Sequence, residues 1–298
     1  MSAFDPAEHI RVEISAEQCN RCGRCVVTCP RRLLVREGDR VKPVDDLSDR
    51  CILCGHCVAV CEPGAVRHSA IPTEAAPLSE AVELTDQQLE RFLRRRRSIR
   101  RFKPDPVEPA KIDRMLDIAR YAPTGKNMQG VHHTVVTGEG IRQLEVVTAE
   151  FYRQLIRRLE RPTGRWLVRL YAGAKGLDGL LKGLPDLKRD VERVDRGEAG
   201  YCHAAPVVVL VHGEKLYPTM PEDCSFAAYH LILAAETLGL GSCLIGYITS
   251  AAARSQPIRR VVELPPEHHI YSTVAIGYPA ERFVRLVPRR PANVRKRS

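Results

Sequence analysis

The chain has 298 residues, 44% of them apolar, enough for two domains and a sizeable core. No apolar run approaches the roughly 18–20 residues of a membrane span, and the first residues (MSAFDPAEHIRVEIS) lack the basic and apolar regions of an export signal, so the expected compartment is the cytoplasm. A formal net charge of +10 suits nucleic acid, an acidic redox partner or a phosphorylated ligand, and composition does not choose among them.

Eight of the 11 cysteines fall between Cys19 and Cys61. They read Cys19-x₂-Cys22-x₂-Cys25-x₃-Cys29-Pro30, then Cys51-x₂-Cys54-x₂-Cys57-x₃-Cys61. Dense, regular spacing in a chain without an export signal points to metal binding and away from disulfides. Structural zinc usually takes two separated cysteine pairs, whereas triplets with a trailing fourth cysteine suit iron–sulfur cubanes. In the two-cluster arrangement the fourth cysteine of each run serves the other cluster. That predicts one [4Fe-4S] cluster on Cys19, Cys22, Cys25 and Cys61, and a second on Cys51, Cys54, Cys57 and Cys29. Two such clusters would bring the net charge to about +6.

This part resembles bacterial 2[4Fe-4S] ferredoxins, with two departures. Cys61 is followed by Glu62-Pro63 where the family has proline directly, and the 21 residues between Cys29 and Cys51 imply an added hairpin or loop. His56, inside the second run, is expected to be a hydrogen-bonding neighbour. The resemblance implies a ferredoxin-like domain over residues 1–70 that works as a short wire for single electrons.

Residues 71–84, rich in Ala, Pro, Ser and Glu, form the expected linker. Thr85 and Gln88 make a capping box, with Leu84 and Leu89 as a hydrophobic staple, for a helix running into Arg94–Arg97. A second helix starts near Pro109, turns Ile112, Met115, Leu116 and Ala119 inward, and stops before Pro123. Residues 132–138 read as a strand. Residues 140–200 are helical, charged and interrupted by Gly and Pro, which suggests peripheral helices or a lid. Pro206–His212 is a short buried strand; residues 222–239 form a helix apolar almost all round, hence central. Ile270–Gly277 is a final strand before a Pro- and Arg-rich tail. The pattern predicts an α+β layered domain over residues 85–298.

Three segments of that domain carry chemistry. In Arg96-Arg97-Ser98-Ile99-Arg100-Arg101-Phe102 the guanidinium forks and the hydroxyl suit a phosphate monoester. In Ala122-Pro123-Thr124-Gly125-Lys126-Asn127-Met128-Gln129 a tight turn would let Asn127 offer an amide to a planar heterocycle or its ribityl chain. In Leu238-Gly239-Leu240-Gly241-Ser242-Cys243-Leu244-Ile245-Gly246 glycines permit close backbone approach to a ligand, but not in the form of a dinucleotide fingerprint.

In this order the segments resemble the FMN-dependent nitroreductase family, together with Gly277-Tyr278-Pro279 and Arg289-Arg290-Pro291. The resemblance implies a nitroreductase-like α/β layered fold and a homodimer with FMN sites at the subunit interface. Arg96, Arg97, Ser98 and Arg100 would hold the phosphate and ribityl end, with Arg289 closing on it. Asn127 and Gln129 would meet the flavin, and the backbone of Leu244, Ile245 and Gly246 would lie near its ring. Gly130-Val131, His230 and Leu244 depart from the family's usual residues, which bears on the substrate more than on FMN.

The expected function is an oxidoreductase that moves electrons between the clusters and FMN to reduce or oxidise a small molecule such as a nitro, quinone or enone compound. Its donor would be a ferredoxin, another redox protein or NAD(P)H. An electron-transfer module or redox sensor without its own substrate is the alternative; no nucleic-acid reader is found. No catalytic side chain is named, since the flavin carries the chemistry. Cys202, Cys224 and Cys243 are expected to be buried small residues, and His132, His133, His268 and His269 ordinary strand and loop residues.

Overall fold

The computed structural model describes residues 10–71 and 83–297, so residues 72–82 of the expected linker lie outside the described residues. By internal contacts the chain divides into two units. One runs to Leu84 and also takes Gly125–Met128; the other comprises Thr85–Thr124 and Gln129–Ser298. Among the described residues no helix is long and apolar enough to cross a membrane.

The first unit contains β1 (Val12–Ile14), α1 (Arg24–Thr28), β2 (Leu34–Glu37), β3 (Arg40–Pro43), α2 (Leu47–Arg50), α3 (His56–Ala59) and β4 (Val66–His68). Strands β1 and β4 pair antiparallel, with Val12 opposite His68, and β2–β3 is an antiparallel hairpin. That hairpin and α2 fill the gap between the two cysteine runs. The runs fold alike. In each, the residue before the second cysteine is left-handed (Arg21, φ 61°; Leu53, φ 53°), as is the glycine after it (Gly23, φ 73°; Gly55, φ 71°). Glycine takes that conformation without steric cost. These turns wrap the chain round the second cysteine and open the helix that carries the third. Val12, Leu33, Leu34, Val41, Leu47, Val66 and Cys25 are buried together, with Cys29, Cys51, Cys57 and Cys61 packed against them.

The second unit contains α4 (Asp86–Arg95), α5 (Pro109–Ala119), β5 (His132–Thr137), α6 (Gly138–Glu160), α7 (Pro162–Asp195), β6 (Val207–Glu214), α8 (Met220–Thr237), β7 (Gly241–Leu244), α9 (Gly246–Ala252), α10 (Gln256–Val261) and β8 (His268–Gly277). The sheet runs β5-β6-β8-β7, antiparallel throughout. Alternate residues of a strand face opposite sides. Val208 and Leu210 of β6 therefore join the core built with α6, α7, α9 and α10, while Val207, Val209 and Val211 join the core built with α5 and α8. Covering both faces makes β6 apolar without alternation. The result is an α+β fold of three layers.

The capping box of α4 is present in both directions: Thr85 Oγ1 accepts from Gln88 N–H (3.2 Å) and Gln88 Oε1 from Thr85 N–H (2.9 Å). The staple is not, since Leu84 and Leu89 are both exposed. Region 140–200 differs from the expectation of peripheral helices. Helix α6 buries Leu144, Ala149 and Leu159 in the core, and only α7, broken at Gly173 (φ 72°), is largely exposed. Helix α8 is not covered all round either. It buries Cys224, Ala228, Leu231 and Ala235 but leaves Phe226 and Tyr229 exposed at 48% and 43%. The glycine-rich stretch after α8 is a strand, β7, at the sheet edge.

Strands β5, β6 and β8 gather three histidines. His132 lies opposite His212, and His212 Nδ1 is 2.8 Å from His268 Nδ1, while Thr134 Oγ1 lies 3.0 Å from His212 Nε2. Burial, then the neighbouring imidazoles, holds His212 down to about 4; burial and His132 do the same to His133. Both folded values lie below the ordinary 6.5, so the unfolded chain binds more protons than the folded one in this range. Their contribution is complete above pH ~6.5 and is lost as pH falls toward ~4. We expect the melting temperature of the second unit's helices, followed by circular dichroism, to fall from pH 7 to pH 5, and His212→Gln to flatten that fall. Equal acid sensitivity in the variant would refute the assignment.

Candidate functional site

The first and third sequence segments meet at β7. After α4 the chain runs beside that strand: Ser98 bridges Ser242, and Ile99 N–H donates to Ser242 O at 2.9 Å. It then bridges Phe102 to Pro279, with Lys103 N–H donating to Tyr278 O at 2.8 Å. Gly241 permits this approach, because a Cβ there would stand 2.5 Å from Ile99 Cγ1. Arg97 Nη1 donates to Arg94 O (2.9 Å) and Arg96 O (3.0 Å), while its Nη2 is buried with no partner among the described residues. A buried charged donor left without an acceptor is destabilising by about 1–3 kcal/mol or more. An anionic ligand would supply what this atom lacks.

Arg100, Ser98 and Arg96 surround Cys243. Burial pushes the Cys243 thiol up, and Arg100, a Ser98 hydrogen bond and Arg96 pull it only part of the way back. Cys243 is 3% exposed and stays a protonated, apolar neighbour of the arginines. Cys202 and Cys224 are fully buried, and burial raises both thiols.

The remaining predicted residues are placed less uniformly. Lys126, Asn127 and Gln129 are all left-handed, at φ 52°, 55° and 50°, a costly run for side-chain-bearing residues. The Asn127 amide, expected to meet the flavin, is partly committed within the chain. Its Nδ2 donates to Leu53 O (2.9 Å) and Ile52 O (3.2 Å) in the second cysteine run, which leaves only Oδ1 to meet a ligand. Gln129 is exposed, its N–H held by Thr124 Oγ1 at 3.0 Å. Leu244 is 56% exposed at the end of β7. Ile245 is buried and its N–H is committed to Thr273 O (2.8 Å), so this N–H is not free to bond a ligand. Gly246 opens α9 with open space where a Cβ would lie. Arg289 lies in the exposed, irregular tail.

The cysteines of the first unit separate into two groups. Cys25 has Cys61 and Cys19 as electrostatic neighbours, whereas Cys51 and Cys57 have Cys54 and Cys29. The fourth cysteine of each run thus stands with the other run. Cys29, Cys51, Cys54 and Cys57 line one cavity with Val12, Leu34 and Leu47. Burial, then the adjacent thiols, pushes Cys57 up to about 11. Four such thiols become thiolates together only against a compensating cation. Among the described residues no three His, Cys, Asp or Glu side chains converge as ligands of a single ion. Four sulfurs spread round a cavity fit a cubane better than a point charge such as zinc.

The nitroreductase family model matches residues 93–278, more than half of the chain. The chain belongs to the nitroreductase family. A second model, the 4Fe-4S dicluster domain, matches residues 11–62 of this nitroreductase-family chain. A protein of Methanothermobacter thermautotrophicus, provisionally named an NADH dehydrogenase/NAD(P)H nitroreductase, is 38% identical over 82 residues, covering 26% of this chain. The chain spans only 42% of that relative's length. An iodotyrosine deiodinase of Thermotoga neapolitana is 26% identical over 62% of this chain and 86% of its own. The crystal structure of a Bacteroides fragilis nitroreductase with bound FMN aligns over 70% of this chain and 96% of its own, at 22% identity and a TM-score of 0.48.

Two features of this nitroreductase-family chain carried no sequence signal. The carbonyls of Ile52 and of the left-handed Leu53 hold Asn127, and His68, beyond the second run, lines the cavity of Cys29, Cys51, Cys54 and Cys57. The crossed grouping makes a sharp prediction. Cys29→Ala should remove the centre built on the second run while leaving that on Cys19, Cys22 and Cys25. Iron should fall from about eight to about four per chain, and loss of the other centre's signal in electron paramagnetic resonance would refute the grouping.

Proposed function

We propose that this chain is an iron–sulfur flavoprotein oxidoreductase. It moves electrons between two [4Fe-4S] clusters and FMN to reduce or oxidise a small organic substrate such as a nitro, quinone or enone compound. The clusters sit in a ferredoxin-like domain over residues 1–70, joined through 71–84 to an FMN domain over 85–298. The observation that carries this reading is the buried Arg97 Nη2 without an acceptor, beside Ser98 at the β7 edge. The names of related proteins, which include FMN and NAD(P)H, favour the same cofactor and a nicotinamide donor. A ferredoxin or another redox protein is the other class of donor.

FMN, when bound, supplies the exchange between one-electron carriers and two-electron chemistry on the substrate. The chain's own residues bind and orient. Arg97 donates to the phosphate, Arg96 and Arg100 add positive charge, and the Ser98 hydroxyl serves phosphate or Cys243. Asn127 Oδ1 and the Gln129 side chain remain for the ring or ribityl chain, with Leu244 and Gly246 beside it. The eight cysteines hold the clusters. The protein acts as a cytoplasmic homodimer. Phe226 and Tyr229 on α8, and Phe283, Val284 and Val287 in the tail, are apolar surface that a second copy would cover, and the tail carries Arg289.

Anaerobically purified protein should release FMN and contain about eight irons per chain. It should accept electrons from NADH, NADPH or reduced ferredoxin and pass them to at least one nitro, quinone or enone compound. Arg97→Leu should weaken FMN binding by about 10–100-fold, the scale of one charged hydrogen bond, with iron unchanged. Full FMN retention by the variant would sink the phosphate assignment, and electron exchange with a partner protein but no small molecule would make the chain a transfer module.

A further inference from the structure

His68 ends β4 and is 6% exposed, its ring set against Cys51. Two contacts define its tautomer. Nδ1 accepts the backbone N–H of Ala70 at 3.1 Å, so that nitrogen carries no proton. The ring proton must then sit on Nε2, which lies 3.4 Å from Cys51 Sγ. An imidazolium is excluded by the same geometry, because its Nδ1–H would face the Ala70 N–H. The contact is therefore a neutral N–H directed at a sulfur.

Both groups of cysteines also receive backbone N–H groups; Leu33 N–H, for example, donates to Cys29 Sγ at 3.3 Å. Only Cys51 receives a side-chain N–H among the described residues. Hydrogen bonds to ligand sulfurs drain negative charge from a cluster and favour its more negative, reduced state. A buried donor does so more strongly than an exposed one, because the surrounding dielectric is low.

We propose that His68 sets the reduction potential of the cluster on Cys29, Cys51, Cys54 and Cys57, raising it above that of the cluster on Cys19, Cys22, Cys25 and Cys61. His68 is a positioning residue acting through Cys51 Sγ. On reduction the cluster gains one electron, the proton stays on Nε2 and no bond breaks. The two clusters, built by near-identical runs, become unequal, and an electron entering the pair settles on the second. This inference rests on the two-cluster reading.

The test is an anaerobic potentiometric titration of the full chain, each cluster's signal followed by electron paramagnetic resonance. Wild-type protein should hold about eight irons and show two potentials. His68→Leu should lower one potential and leave the other in place. A tenfold loss in the reduction equilibrium corresponds to about 59 mV for one electron. His68→Gln, which keeps an N–H donor, should restore part of the shift. Labelling the wild-type chain with ¹⁵N-histidine should also reveal a nitrogen coupled to one reduced cluster, a result independent of any variant's stability. Iron well below eight in wild type would overturn the cluster reading itself. Intact clusters with unchanged or equally shifted potentials in His68→Leu would overturn the role of His68. If that variant loses its cluster, absence of the ¹⁵N coupling in wild type would overturn it instead.

Discussion

The hydrogen bond from Ile99 N–H to Ser242 O is the contact on which the candidate site depends. Helices fill both faces of the sheet, so β7 offers free backbone only along its outer edge. An unpaired strand edge invites pairing, and the segment after α4 takes that place. Once Ser98 and Ile99 lie against β7, Arg97 has little choice of partner. Its Nη1 satisfies two carbonyls at the end of α4, a favourable place for a cation, and Nη2 is left inward and unpaired. The site thus follows from an ordinary requirement, the satisfaction of strand and helix ends.

What the sequence made legible was what local spacing determines. The cysteine runs announced two groups of four because ligand geometry is set by chain separations of three and four residues. The capping box of α4, the Pro109 start of α5 and the apolar run of β6 were equally local. The losses have one physical origin. Strand β7 goes unread because it is short and opens on Gly241, a residue depleted in strands, and pairing with β8 makes it a strand. Ile245 N–H is spent on Thr273 and the Asn127 amide on Leu53, both long-range partners that no local pattern encodes. Helix α8 reads as apolar all round, yet its Phe226–Tyr229 face is bare in a single chain. Hydrophobic pattern records burial without saying by what.

The first unit shows a different economy. Among the described residues its core cluster has seven buried apolar residues, one of them Cys25, with four further cysteines packed against it. A core of that size is marginal without cross-links or metal. The sulfurs therefore stand where a larger domain would place leucines, and their burial raises the energy needed to ionise them. Cation binding and folding are then one process: a cluster neutralises thiolates that the apolar surroundings disfavour, and ligation supplies cohesion that the side chains alone do not. The left-handed residues at Arg21, Gly23, Leu53 and Gly55 are part of the same bargain, because local strain is tolerated where the surrounding contacts over-determine it.

Repetition would make the two halves of this unit equivalent, since both runs share spacing, turns and helix starts. The difference between them arises where the repeat meets the rest of the unit. Strand β4 pairs with β1, and the register that sets Val12 opposite His68 delivers the imidazole to the second run. One residue of slip would turn that side chain to the other face. A two-stranded ladder of three residue pairs thereby decides which sulfur receives an extra N–H, and a purely structural pairing becomes an electronic distinction between the two cysteine groups.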